Sequence, residues 1–134
     1  MSTELNIGFD YSHKNKLIIE DPGFTEFIEF LLNSGLKLGK IEAGISYGKL
    51  SGYNIFIIGV SYAGSYFSDE EVNDIIKYVD DGGSLLIIND RGGDYENKSN
   101  LNEVSKNFGI KFNPDQLYDN EAFSKDNSRP IIKD

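Results

Sequence analysis

Hydrophobic residues recur along the chain in two alternating patterns. Apolar runs of strand length occupy residues 5–9, 36–41, 54–60 and 84–89, and a shorter run at residues 110–112 predicts a short edge strand. Between these runs, apolar residues recur every three or four positions, which is typical of helices with one buried face. The three helical stripes are Phe24, Phe27, Ile28, Leu31 and Leu32, then Val72, Ile75, Ile76 and Val79, and finally Leu101, Val104 and Phe108.

Polar residues mark where the first two helices begin. Asp21 followed by Pro22 is typical of an N-cap with proline at the first helical position, and Gly35 ends that helix. Ser68 and Glu71 have the spacing of a capping box, and Gly82 with Gly83 ends the second helix. Residues 17–19 are too few to assign, and the segment from Asp90 to Lys98 is predicted to be a loop.

The order of these elements predicts an α/β fold. Strands and helices that alternate, joined by right-handed crossovers, form a mostly parallel twisted sheet with helices on both faces. The unbroken apolar runs at 54–60 and 84–89 indicate strands that are covered on both faces. We therefore expect a flavodoxin-like, three-layer α/β domain that spans residues 1–134 as one unit. Residues 129–134 resemble the start of another extended piece, so we expect the domain to be truncated from a longer protein.

Composition excludes several classes of function. Twenty-two acidic residues against thirteen basic ones give a net charge of -9, which disfavours nucleic acids and anionic membrane surfaces as partners. No cysteine is present, so disulfides, zinc–thiolate sites and thiol nucleophiles are excluded. No apolar run is long enough to span a membrane, and the first residues lack a secretory-signal pattern. We expect a cytoplasmic protein without a cofactor.

Ionisable residues follow the predicted strands at the edge where α/β folds bind ligands. In open parallel sheets, ligands lie beyond the carboxyl ends of the strands, where the strand order reverses. One interpretation of these residues is therefore a small-ligand or carbohydrate site with at most weak hydrolytic activity. Its candidate members are Asp10, His13, Ser61, Tyr62, Asp90, Arg91 and Gly92.

More specific chemistry at that edge lacks the necessary residues. The segment from Gly59 to Gly64 places its second glycine one position too late for a nucleophile elbow, and His13 precedes Ser61, the reverse of the hydrolase order. A dinucleotide fingerprint requires glycines in the first loop, and this loop contains none. Asp90, Asp94 and Glu96 lack the spacing of an EF-hand. We predict no catalytic residues and no metal site.

The second predicted helix is strongly acidic. It carries six carboxylates and one lysine, Lys77. Carboxylates in its first turn favour the helix dipole, whereas those at its end do not. The face that presents Asp69, Glu70 and Asp74 is a candidate docking surface for a protein with a basic surface. A simply solvated helix face is the alternative.

Several of these segments together resemble a known family. Four segments are similar to the GIFT domain: Phe67-Ser68 with Glu71, Tyr78-Val79 with Gly82-Gly83-Ser84, Gly92-Gly93, and Phe108-Gly109-Ile110. That domain is shared by gliding-motility transporter accessory proteins and an intraflagellar-transport subunit, and it is related to class I glutamine amidotransferases. The resemblance covers about residues 5–120.

The resemblance implies an amidotransferase-like fold without amidotransferase chemistry. Catalytic relatives place a cysteine on the turn after the strand that matches residues 84–89, and here that turn begins with Asp90 and Arg91. The resemblance also implies further strands after Pro130. The leading hypothesis is a non-catalytic protein-recognition or scaffolding module, and the alternative is a small-ligand or carbohydrate-binding domain.

Overall fold

The computed structural model of the chain describes residues 4–114, and they form one parallel sheet with helices on both faces. Its four strands are β1 (Asn6–Asp10), β2 (Lys37–Ile41), β3 (Ile55–Gly59) and β4 (Ser84–Ile88), in the order β2-β1-β3-β4. All three pairings are parallel. This is the flavodoxin-like α/β arrangement that the hydrophobic pattern predicts, and the strand order reverses between β1 and β3.

Two hydrophobic clusters fill the space between the sheet and its helices. α1 (Thr25–Asn33) covers one face, where Ile28 and Leu31 pack against Ile7, Phe9 and Ile57. The other face is covered by α2 (Tyr47–Leu50), α3 (Asp69–Asp80) and α5 (Leu101–Ser105). Because side chains alternate along a strand, β3 supplies Ile57 to the first cluster and Phe56 and Ile58 to the second.

A tyrosine ring packs closely against two paired glycines in the sheet. Gly8 of β1 is opposite Gly39 of β2, and a Cβ on either would overlap the ring of Tyr53. Glycine at both positions therefore allows the ring to approach the backbone of two neighbouring strands.

The predicted helix starts are confirmed. The Asp21 carboxylate accepts a hydrogen bond from the Gly23 amide and begins a 3-10 turn, Pro22–Phe24, that leads into α1. Ser68 and Glu71 form both bonds of the capping box at the start of α3. Each arrangement satisfies amides that have no partner within the helix.

Some predictions about individual elements are wrong. β4 is not covered on both faces, since the side chain of Leu86 is 43% exposed. Leu32 belongs to the α1 stripe, yet it is 53% exposed because α1 reaches the sheet mainly through Ile28 and Leu31. Residues 110–112 form no strand. The predicted loop between Asp90 and Lys98 contains a short helix, α4 (Gly93–Asn97).

Two of the sequence-based expectations fall on the end of the chain. The extended piece at residues 129–134 and the further strands after Pro130 lie outside the described residues. No helix among residues 4–114 has the length and hydropathy needed to cross a membrane.

Candidate functional site at the carboxyl ends of the strands

Asp10, at the end of β1, is the centre of a closed set of polar contacts. Asp10 is buried, with 2% of its surface exposed. The carboxylate accepts hydrogen bonds from the Ser12 amide at 3.0 Å and from the Asn15 side-chain amide at 2.9 Å, and it lies 3.0 Å from His13 Nδ1. The loop after β1 thus folds back over its own strand end and satisfies the buried carboxylate.

His13 lies between two carboxylates. Its Nδ1 faces Asp10, and its Nε2 is 3.2 Å from Oε1 of Glu71 in α3. The ring also stacks on Phe67, with centroids 3.7 Å apart and an interplanar angle of 17°. Burial disfavours the charged ring, but the hydrogen bonds and charges of Asp10 and Glu71 outweigh it and raise the pKa of His13.

Glu71 joins three parts of the chain. Besides facing His13, its carboxylate accepts hydrogen bonds from the Ser68 amide at 3.0 Å and from the Ile45 amide at 2.9 Å. Burial opposes its charge, yet these amides and the nearby His13 hold the pKa of Glu71 below its usual range. A single capping residue therefore also fixes the loop after β1 and the loop before α2.

Ser61 is fully buried and serves a structural role. Its hydroxyl donates to the Asn15 side-chain oxygen at 3.1 Å, and the two residues form an isolated antiparallel bridge. An amide oxygen does not act as a general base, and His13 contacts carboxylates instead of Ser61. The preceding Val60 has φ of +63°, an unusual conformation for a β-branched residue, which turns the chain sharply after β3.

Three of the remaining candidates face solvent at the same edge, whereas Gly92 is buried. Asp90 is exposed, and its carboxylate accepts a hydrogen bond from Lys16 at 2.9 Å, which lowers its pKa. Arg91 and Tyr62 are exposed. Gly92 has φ of +78° and precedes α4. The structure thus brings Asp10, His13 and Ser61 together in one network and leaves Asp90, Arg91 and Tyr62 outside it.

Residues that were not predicted as members of the site complete the network. Asn15 links Asp10 to Ser61, and Phe67 supplies the stacking surface for His13. Asp94, considered as a metal ligand, instead accepts hydrogen bonds from the amides of Leu101 and Asn102 at the start of α5. Among residues 4–114, no three His, Asp or Glu side chains are grouped so that they could hold a metal ion.

The carboxylates on the acidic face of α3 are of two kinds: some face solvent, and others accept hydrogen bonds from Tyr47. Asp69 and Glu70 are exposed. Asp74 is partly buried and accepts a hydrogen bond from the Tyr47 amide at 3.1 Å. The Tyr47 hydroxyl donates to Asp81 at 2.6 Å, while Lys77 lies 4.1 Å from the centre of the Tyr47 ring. Asp74 and Asp81 therefore anchor α2 to α3, whereas Asp69 and Glu70 face solvent.

Comparisons with known proteins give the family of the chain and agree with its fold. The family model of the IFT52 GIFT domain matches residues 7–125. The solved structure of the mmIFT52 N-terminal domain is similar in fold, with a TM-score of 0.80 and 23% sequence identity, and the match covers 92% of this chain and 53% of that chain. The chain thus spans about half the length of that domain structure. None of the curated proteins matches the chain. Because the family model covers most of its length, the chain belongs to the IFT52 GIFT domain family.

Proposed function

We propose that this domain is a non-catalytic protein-recognition or scaffolding module, like the GIFT domains of intraflagellar-transport and gliding-motility proteins. The observation that carries the proposal is the closed network of Asp10, His13, Asn15 and Ser61. At the edge of the sheet where relatives of this fold carry out chemistry, these polar groups are bonded to one another. They stabilise the loops, and within residues 4–114 the buried Ser61 hydroxyl donates to an amide oxygen and not to His13.

The contact with a protein partner is assigned to the solvent-facing carboxylates of α3. Asp69 and Glu70 lie in the first turn, they are exposed, and no ion pair to either is found within residues 4–114. A partner with lysines and arginines on its surface would gain attraction and a faster association rate from this face. Such a role fits a cytoplasmic domain with strong negative charge and needs no cofactor.

Charge reversal on two helices tests this assignment. We compare Asp69→Lys/Glu70→Lys on α3 with Glu26→Lys/Glu29→Lys on α1, because both pairs are exposed acids and lie on opposite faces of the sheet. A protein captured by the wild-type domain is identified, purified and titrated against both variants at two salt concentrations. The α3 variant should weaken binding about tenfold or more, and added salt should reduce the difference. Equal binding by both variants would remove the α3 face from the proposal.

The alternative function, a small-ligand or carbohydrate site, depends on the exposed members of the candidate set. Tyr62, Asp90 and Arg91 remain open to solvent beside the closed network. A ligand that contacts them should raise the melting temperature of the wild type in a panel of sugars and nucleotides. The same ligand should have less effect on Arg91→Ala. Turnover of an ester or glycoside that is lost in Asp90→Asn would contradict the non-catalytic proposal.

A further inference from the structure

A cavity of about 450 Å³ opens at the amino ends of β3 and β4. It lies between the carboxyl-terminal end of α3 and the segment that joins α2 to β3. Because all the strand pairings are parallel, this edge of the sheet is opposite the network around Asp10 and His13. Its polar and aromatic lining residues include Tyr47, Tyr53, Asn54, Tyr78 and Asp81.

The tyrosines give the cavity accessible aromatic surface. Tyr78 is buried, and its hydroxyl donates to the carbonyl of Tyr53 at 2.9 Å, which fixes these two residues relative to each other. Tyr47 and Tyr53 are only partly buried, so their rings remain accessible from the cavity. The face of an aromatic ring carries partial negative charge and attracts cations.

One of these rings already contacts a cation of the chain. The Nζ atom of Lys77 lies 4.1 Å from the centre of the Tyr47 ring, which is within the range of a cation–π contact. Lys77 itself does not line the cavity, and among residues 4–114 the lining contains no other lysine and no arginine. The cavity therefore has a ring that accepts a cation, but its own wall supplies no positive charge.

The charged group in the wall is a carboxylate with unused acceptor capacity. Asp81 is exposed and is the C-cap of α3. Its Oδ2 accepts a hydrogen bond from the Tyr47 hydroxyl at 2.6 Å, whereas its Oδ1 accepts none from residues 4–114. The carboxyl-terminal end of a helix adds partial negative charge at the same place. Carboxylate, helix end and ring faces all favour a positively charged ligand.

The backbone at the cavity is not arranged to bind an anion. The amides of Gly82, Gly83 and Ser84 belong to lining residues, and each donates to a backbone carbonyl within the chain, at 3.0, 2.9 and 3.1 Å. An anion would therefore meet a carboxylate and no free backbone donor from these three residues. This arrangement excludes the phosphate and carboxylate ligands that helix ends with free amides bind.

We propose that this cavity binds the alkylammonium group of an organic cation. The rings of Tyr47 and Tyr53 contact the carbon atoms around the nitrogen, and Asp81 neutralises the charge. A free amine and the lysine side chain of a peptide share this chemistry. Asp81 and the pair Asp69 and Glu70 are at opposite ends of α3, so the proposal is independent of the partner surface proposed above.

Titration of the complete chain with three probes tests the proposal. Choline and N-acetyl-lysine methylamide carry alkylammonium groups, and the third probe is the neutral analogue of choline in which carbon replaces nitrogen. Both charged probes should give saturable NMR shifts at the amides of Gly82, Gly83 and Ser84. The neutral analogue should bind about tenfold more weakly than choline.

Each outcome of this titration has a definite meaning. Tighter binding of choline identifies a free amine as the ligand, and tighter binding of the lysine probe identifies a peptide side chain. Equal binding of choline and its neutral analogue would assign the cavity to apolar or hydroxyl-bearing ligands and would overturn the proposal. The absence of a saturable shift with both charged probes would also overturn it.

Two adjacent aspartates provide a matched comparison. Asp81→Asn and Asp80→Asn remove the same charge from the end of α3, but only Asp81 lines the cavity. The new amide oxygen at position 81 can still accept the Tyr47 hydroxyl bond, so the fold should be kept. Asp81→Asn should weaken choline binding about tenfold, the loss typical of a hydrogen bond to a charged group. Asp80→Asn should change it less than about twofold, because exposed charges are screened. An equal loss in both variants would show that only net charge matters and would contradict the site.

Two further variants separate the ring from its existing cation. Tyr47→Leu removes the aromatic face and should weaken choline binding about fivefold or more. Lys77→Gln removes the positive charge that already contacts the same ring, and it should strengthen binding. A gain in affinity cannot result from damage to the fold. Weaker binding in Lys77→Gln, or unchanged binding in a folded Tyr47→Leu variant, would mean that the Tyr47 ring does not contact the cation.

Discussion

The Nε2 atom of His13 lies 3.2 Å from a carboxylate oxygen of Glu71 and thereby joins the loop after β1 to the first turn of α3. The two residues are 58 positions apart in the chain. Their side chains are nearly inaccessible, 5% exposed for His13 and 16% for Glu71. Because this contact is shielded from solvent, it should affect stability more than a surface ion pair does.

The stability of the domain should depend on pH through His13, the chain's only histidine. The pKa of His13 is raised in the folded protein. Its protonated form therefore contributes stability in full below the pKa of an unfolded histidine, about 6.5, and this contribution is lost as pH rises through the folded-state pKa. Urea titrations between about pH 5.5 and about pH 8.5 should show a declining free energy of unfolding. The decline should be absent in His13→Gln, and an equal slope in both proteins would contradict this assignment.

A double-mutant cycle should measure the coupling between His13 and Glu71. Each replacement by alanine removes one partner from the buried groups that remain, and we expect each to cost about 1–3 kcal/mol. The coupling energy at about pH 6 should be about 1 kcal/mol or more, because the two side chains are in contact. The same cycle with His13 and Asp74, which bonds to Tyr47 instead, should give a value near zero. Equal coupling in the two cycles would mean that the network is not local.

Because the backbone conformation differs at two helix ends, glycine substitutions there should change the free energy of unfolding in opposite directions. Lys98 is the C-cap of α4 and has φ of +55°, whereas Lys106 is the C-cap of α5 and has φ of −58°. A left-handed conformation costs an L-residue about 1–2 kcal/mol, so Lys98→Gly should raise the free energy of unfolding by about 0.5–1 kcal/mol. Lys106→Gly should lower it by about 1 kcal/mol. Thermal melts of both variants would show whether α4 ends as described.

A methyl group on the paired glycines should be costly. Gly39→Ala places a Cβ against the ring of Tyr53, and we expect a loss of about 1–3 kcal/mol of stability from overpacking. Gly48→Ala in α2 is the control, because nothing lies within 4 Å of the added carbon. That change should be neutral or slightly stabilising. If Tyr53→Leu is already present, the cost of Gly39→Ala should fall, which chemical denaturation can measure.

The positions of the main elements follow from local patterns in the sequence. Ile55–Gly59 is apolar along its whole length, and Ser68 with Glu71 forms a capping signal within four residues, so both elements can be recognised without tertiary information. The apolar run at residues 84–89 identifies a strand, but not its place in the sheet. Leu86 is exposed because β4 has a neighbour on one side only within the described residues.

The candidate site was predicted less completely, for a physical reason. Strand ends indicated Asp10, His13 and Ser61, which the structure does bring together. The contacts that decide their chemistry come from Asn15 and Glu71, and neither has a local signal for that role. Glu71 was recognised as a capping residue, whereas its bond to His13 arises only when α3 packs beside the loop after β1.

The close contact between Tyr53 and the glycines of β1 and β2 has an evolutionary consequence. Gly8, Gly39 and Tyr53 occupy one small volume, although they come from three separate segments of the chain. A larger residue at Gly39 is compatible with the fold only if Tyr53 is replaced by a smaller side chain, and at Gly8 the Ile41 side chain must move as well, so selection should act on these positions together. Aligned sequences of related domains should therefore show correlated substitutions there, with bulk appearing at the strands only where the aromatic group has been lost.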